Sequence, residues 1–197
     1  MRHIEKTMVA SFPRIETPRL ILNETTLADT GSVFSLFSDP QVLIYYDIEQ
    51  FNEPEQAMEL INSDAKKYKD GQMLRWAVRE KLSSKYIGGC GINRFELSRH
   101  TAVIGYEFIQ DSWGKGFATE SIQAVVDFCF SNHSPHFVNR IEAYVMQGNL
   151  ASEAILTKLG FDKEGILKQH SYWKGQYHDL ALFSKLKCNH HNKQTSQ

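Results

Sequence analysis

Apolar positions along the chain follow two rhythms, one of period two and one near 3.6 residues, and the switches between them outline the elements. Just after Pro18, Leu20 and Leu22 alternate with Arg19, Ile21 and Asn23, which predicts a short first strand. Thr26 and Asp29 have the spacing of a helix N-terminal cap. Val33, Phe34, Leu36 and Phe37 then mark an apolar helix face that Asp39-Pro40 stops. Pro54 opens a second helix, Ala57, Leu60, Ile61, Ala65 and Tyr68 give its buried face, and Gly71 ends it.

From residue 73 the period returns to two. Leu74, Trp76 and Val78 share one side of a strand, and further strands are predicted over Tyr86–Phe95 and Ala102–Ile109. Glycines at 88, 89 and 91 point to a bend or a close backbone approach. A helix with the stripe Ala118, Ile122, Val125, Val126, Cys129 and Phe130 follows, then a strand over Arg140–Met146 and a helix over Leu150–Leu159 that Gly160 ends. Residues 161–186 read as two strands around Lys174-Gly175. The order β-α-α-β-β-β-α-β-α-β-β is that of a mixed α/β domain. Residues 1–15 read as an N-terminal extension, 16–187 as one domain, and 188–197 as a loose tail.

Composition narrows the function. A chain of 197 residues with 42% hydrophobic and 23% charged positions suits one globular domain. A net charge of −1, with Lys66, Lys67 and Lys69 as a solvated helix face, argues against nucleic acid as a partner. Cys90, Cys129 and Cys188 offer neither a disulfide framework nor a metal spacing, and His190 and His191 lack a third ligand, so no metal is expected. No apolar run suggests a signal peptide or a membrane span, which leaves the cytoplasm as the default location.

Candidate chemistry concentrates in GYEFIQDSWGKGFATES, residues 105–121. A strand enters a two-glycine turn and a helix opens directly after it. Unpaired amides and a partial positive charge at a helix N-terminus can hold a phosphate, and Gly114 and Gly116 would let the backbone approach it. A plain glycine turn is the alternative reading. A P-loop is excluded because Gly116, not Ser or Thr, follows Lys115, and the third glycine of a dinucleotide fingerprint is missing.

The chain resembles the GNAT acetyltransferases, and within them the branch of the RimJ and RimL ribosomal-protein N-terminal acetyltransferases. The resemblance rests on TPRLIL (17–22), FSDPQV (37–42), GYEF (105–108), WGKGFATE (113–120), RIEAYV (140–145), NLASEAILTKLGF (149–161) and GQYHDLALFSKL (175–186). It implies a mostly antiparallel central sheet of about seven strands with helices on both faces. It further implies that acetyl-coenzyme A (acetyl-CoA) binds in a V-shaped opening between the family's fourth and fifth strands. By position, Trp113, Gly114, Lys115, Gly116, Phe117 and Ala118, with Thr119 beside them, would hold the pyrophosphate. Phe108 and Ile109 would pair with the pantetheine arm, and Asn149 would reach it. Asn149 also reads as a helix N-cap.

Acetyl transfer to an amine requires a base, oxyanion donors and an acid for the thiolate. Glu107 is the first choice for the base, because partial desolvation between Tyr106 and Phe108 would make it a better one; an edge carboxylate that only attracts the amine is the alternative. The family's usual tyrosine acid is replaced here by Leu156, and Ser152 stands where the RimL-like branch places a serine acid. Packing is the alternative reading of Ser152. Asp179 reads as structural, and Arg94, Trp76, Tyr45 and Tyr46 as packing or acceptor-pocket residues. The expected partners are acetyl-CoA and an amine acceptor, a protein N-terminus or alternatively a polyamine or amino sugar. A non-catalytic acyl-CoA sensor is the rival from another class. An edge strand at the C-terminal end could support a homodimer.

Overall fold

The computed structural model describes residues 11–187. Its strands are β1 (Ile15–Glu16), β2 (Leu20–Asn23), β3 (Leu74–Glu80), β4 (Tyr86–Glu96), β5 (Thr101–Phe108), β6 (Arg140–Met146), β7 (Asp162–Trp173) and β8 (Gln176–Leu186). They form one sheet in the order β1-β2-β3-β4-β5-β6-β8-β7, antiparallel throughout except between β5 and β6. Four α-helices complete the fold: α1 (Thr30–Phe37), α2 (Pro54–Lys69), α3 (Phe117–Phe130) and α4 (Leu150–Lys158). The strand beyond the expected seven is β1, whose two residues are too short to carry a periodic signal.

Sheet register sorts the side chains onto two faces. Ala77, Gly89 and Glu107 are cross-strand partners and share the α1/α2 face; Trp76, Cys90 and Tyr106 share the other. On the first face, Val33, Leu36 and Phe37 of α1 and Ala57 and Ile61 of α2 pack with Ala77 and Tyr86. On the second, Ile122, Val125, Val126 and Cys129 of α3 and Leu156 of α4 pack with Leu22, Leu74, Trp76 and Ile104. Trp76 is therefore core and not acceptor lining. Phe12 and Phe128 meet it edge-on, and its indole donates to the Pro13 carbonyl at 2.7 Å. Phe12 and Pro13, ahead of residue 16, are thus already packed against the sheet.

The parallel pair is where the sheet opens. β5 and β6 pair only from Thr101↔Arg140 to Ile104↔Ala143. Beyond that point β5 stays bonded to β4 as far as Gly88↔Phe108, and β6 stays bonded to β8 as far as Met146↔Leu180. The sheet splits while each half keeps its outer partner. A bulge in β4 between Ile92 and Arg94 lies beside the split, and Asn93 occupies the space that a side chain at Gly105 would fill.

The free edge at the C-terminal end of the sheet is β7, because β8 inserts between β6 and β7. The last described strand in sequence is thus interior, and the edge strand at this end of the sheet is β7. Cys90 and Cys129 are buried free thiols. Cys188, His190, His191 and the 188–197 tail lie outside the described residues. No group of metal-binding side chains, and no helix long and apolar enough to cross a membrane, occurs among the described residues.

Candidate active site

The turn from β5 into α3 is built to leave amides bare. Gly116 caps the helix in the left-handed region at φ 78°, and Gly114 has φ 70°, conformations that side chains resist. The first helical bond runs from the Glu120 N–H to the Gly116 carbonyl, so the preceding amides have no helical acceptor. Trp113 differs from expectation: its own N–H is taken by the Gln110 carbonyl at 2.9 Å, and its indole donates to the Phe108 carbonyl at 2.8 Å. Its side chain, not its amide, faces the site.

A cleft of about 500 Å³ runs from this turn to the split in the sheet. Phe108, Trp113, Gly114, Gly116, Ala118 and Thr119 line one side, and Asn149 and Ser152 the other. Three expected members do not line it. Phe117 is buried in the core, and Lys115 is exposed with its carbonyl bonded to Arg19. Ile109 uses both backbone groups within the protein, its N–H on the Ile87 carbonyl and its C=O on the Ser112 N–H. Strand alternation then turns the peptide groups of Tyr106 and Phe108 toward the gap; with the Phe108 carbonyl held by the Trp113 indole, the Phe108 N–H is left to pair.

Asn149 is the N-cap of α4, its Oδ1 accepting from the Ser152 N–H at 3.2 Å. Ser152 lines the cleft beside Tyr106, whose phenol donates to the Ser152 carbonyl at 3.5 Å and also meets the Ser152 side chain. Burial pushes the Tyr106 phenol up to about 12. Leu156 is fully buried in the core.

Glu107 is buried rather than an edge carboxylate, and it is paired. Its Oε2 accepts from Arg75 and from the Tyr46 hydroxyl, the latter at 2.7 Å, and Arg75 also donates to Asn93. Both charges are buried. Burial opposes the Arg75 charge, but Glu107 and Tyr46 outweigh it and hold the guanidinium firmly protonated. Burial and the Glu107 charge push the Tyr46 phenol well above its ordinary value. Gly89 makes the arrangement possible, because a Cβ there would run into the Glu107 carboxylate. The glycines of β4 are thus close approaches, as their clustering predicted.

A second cleft, of about 240 Å³, opens on the other side of the split. Tyr45, Tyr46, Tyr106, Asn149 and Ser152 line both clefts, so the two meet there. Arg94, Tyr144, His170 and Trp173 add to the second. Lys174, at the tip of the β7–β8 hairpin, donates to the carbonyls of Leu43 and Tyr46 and fastens the hairpin over this space. Asp179 is structural, receiving the Gln169 N–H and Lys168. Sequence reasoning missed Arg75, Asn93 and Tyr106; only the strand alternation that places Arg75 opposite Gly91 on the Glu107 face could have found the first.

A split parallel pair, a bare helix N-terminus beside it and two clefts that meet at the split define an α/β acyltransfer enzyme. A family profile described as the acetyltransferase (GNAT) domain matches residues 19–162. The uncharacterized N-acetyltransferase YoaA of Bacillus subtilis is 37% identical over 176 residues, covering 89% of this chain and 98% of YoaA. In fold, the chain is similar to RimL, the ribosomal L7/L12 alpha-N-protein acetyltransferase, in complex with coenzyme A. That comparison has a TM-score of 0.79 at 20% identity and covers 88% of this chain and 98% of RimL. The microcin C7 self-immunity acetyltransferase MccE, in complex with acetyl-CoA and AMP, also gives 0.79 at 20% identity, covering 87% and 94%. The chain belongs to the GNAT acetyltransferase family and is an acetyltransferase.

Proposed function

We propose that the protein transfers an acetyl group from acetyl-CoA to a primary amine, a protein N-terminal amine being the preferred acceptor, by direct attack on the thioester. The observation that carries this reading is the alignment of bare α3 amides with the unpaired edge of β5 along one cleft. That cleft suits an anionic pyrophosphate at one end and an amide-bearing arm at the other. The acetyl-CoA and coenzyme A complexes of MccE and RimL support the same donor.

In this mechanism the amine enters by the second cleft. Its proton passes to the Tyr46 oxygen as the Tyr46 proton passes to Glu107, which Arg75 holds in place. The free amine attacks the carbonyl carbon, the C–S bond breaks, Ser152 gives its proton to the departing sulfur, and the attacking nitrogen returns a proton to Ser152, leaving a neutral amide and a free thiol. A lysine-type amine has a pKa of about 10.4 and an α-amine about 8, so a modest base suffices for the latter. Glu107→Gln is expected to slow turnover most at low pH, where the amine is protonated, with KM for acetyl-CoA little changed. A full rate at every pH would remove Glu107 from this role.

Ser152→Ala is expected to lower kcat by roughly tenfold to a hundredfold without changing KM for acetyl-CoA. An unchanged kcat would assign Ser152 to packing. The acceptor is tested by mass spectrometry on a peptide carrying both a free α-amine and a lysine. Acetyl on the α-amine supports the proposal; modification only of polyamines or amino sugars would favour a small-molecule enzyme.

A further inference from the structure

Arg19, the residue before β2, reaches to the turn ahead of α3. Its Nε donates to Glu120 Oε2 at 2.6 Å and its Nη1 to the Lys115 carbonyl at 2.9 Å. Its guanidinium carbon lies 4.8 Å from the centroid of the Phe117 ring, and a Cβ at Gly116 would sit 3.4 Å from its Nη2. Thr17 Oγ1 donates to the other Glu120 oxygen at 2.6 Å, and the Arg19 backbone N–H to the same oxygen at 2.9 Å. Thr17 and Arg19 thus converge, from about a hundred residues away in sequence, on the first turn of one helix.

We propose that Arg19 is a positioning residue for the anion-binding turn, with Thr17 as its support; this rests on the reading that the turn holds the pyrophosphate of acetyl-CoA. Two physical effects combine. The Nη1 bond to Lys115 fixes the carbonyl between the two glycines, so the neighbouring amides point away from Arg19 and toward the cleft. Glu120, in the first helical turn, would otherwise compete with an incoming anion for the positive end of α3. Bonds from Thr17 and Arg19 hold the Glu120 carboxyl below its ordinary range despite partial burial, and the guanidinium balances its charge. Arg19 is half-exposed, so the pair adds little to global stability, and its value lies in local order and charge.

The test compares the full chain with Arg19→Ala, Arg19→Lys and Arg19→Ala/Glu120→Gln. Coenzyme A affinity is read by calorimetry, unfolding by a thermal melt, and turnover with acetyl-CoA against S-acetyl-pantetheine, which lacks the pyrophosphate. Arg19→Ala is expected to weaken coenzyme A binding about tenfold. Its melting temperature should stay within about 2 °C of the parent, and kcat/KM for S-acetyl-pantetheine should be unchanged. Arg19→Lys should fall between, because one ammonium cannot span Glu120 and the Lys115 carbonyl together. The double variant should recover part of the affinity. Unchanged coenzyme A binding in Arg19→Ala, or equal losses on acetyl-CoA and S-acetyl-pantetheine, would overturn the proposal while leaving the acetyl-CoA site standing. A parent protein that binds no coenzyme A would overturn both. Should Arg19→Ala fail to fold, Arg19→Lys with and without Glu120→Gln gives the same comparison.

Discussion

Arg75→Met is expected to destabilise the protein by about 3–5 kcal/mol, because removing one member of a buried ion pair leaves the other charge uncompensated. Glu107 would remain buried on the α1/α2 face of β5, bonded only to Tyr46, with no cation to balance it. Asn93 would lose its partner at the β4 bulge beside the split, so the damage would reach the cleft itself. In a chain of this size the melting temperature should fall by roughly 10 °C. Adding Glu107→Gln to Arg75→Met should recover part of that loss, since two neutral groups are less costly to bury than one charge. Urea titrations of the two variants check this. If Arg75→Met is as stable as the parent, the buried pair is not what holds this part of the sheet.

Gly116→Glu is expected to lower coenzyme A affinity by on the order of a hundredfold or more while the protein remains folded. The position has φ 78°, so any side chain costs about 1–2 kcal/mol of backbone strain. A Cβ there meets only Arg19, at 3.4 Å, so the fold does not block the substitution. The new carboxylate would start beside the Arg19 guanidinium, disturb its hold on the Lys115 carbonyl, and add negative charge next to the bare α3 amides that an anion needs. Calorimetry with coenzyme A, paired with a thermal melt, separates loss of the site from loss of the fold. Unchanged binding would remove the turn from the donor site.

The fold was legible where an element buries one side. Period-two alternation in Leu74, Trp76 and Val78 and the stripe of α3 follow directly from facing a single core. The two-residue β1 escaped because it is too short to show a period, and the sheet order of β7 and β8 cannot be read from a hairpin's sequence. The glycine turn and the Asn149 cap were legible because each uses a residue type for its special backbone property. The environment of Glu107 was not. It depends on Arg75, Asn93 and Tyr46, which the chain brings together from three separate segments, and on the empty space at Gly89. Backbone groups were misjudged at Trp113 and Ile109 for a related reason: which amides are already spent depends on hydrogen bonds formed by the turn itself.

Acetyl transfer to an amine is decided by thiol release from acetyl-CoA across an amine panel of peptides with free N-termini, the same peptides blocked at the N-terminus, polyamines and amino sugars. Thiol from the protein is subtracted with an enzyme-only control. Release is expected with the free N-terminal peptides and should vanish when the terminus is blocked. Silence across the whole panel by a protein that still binds coenzyme A would contradict it.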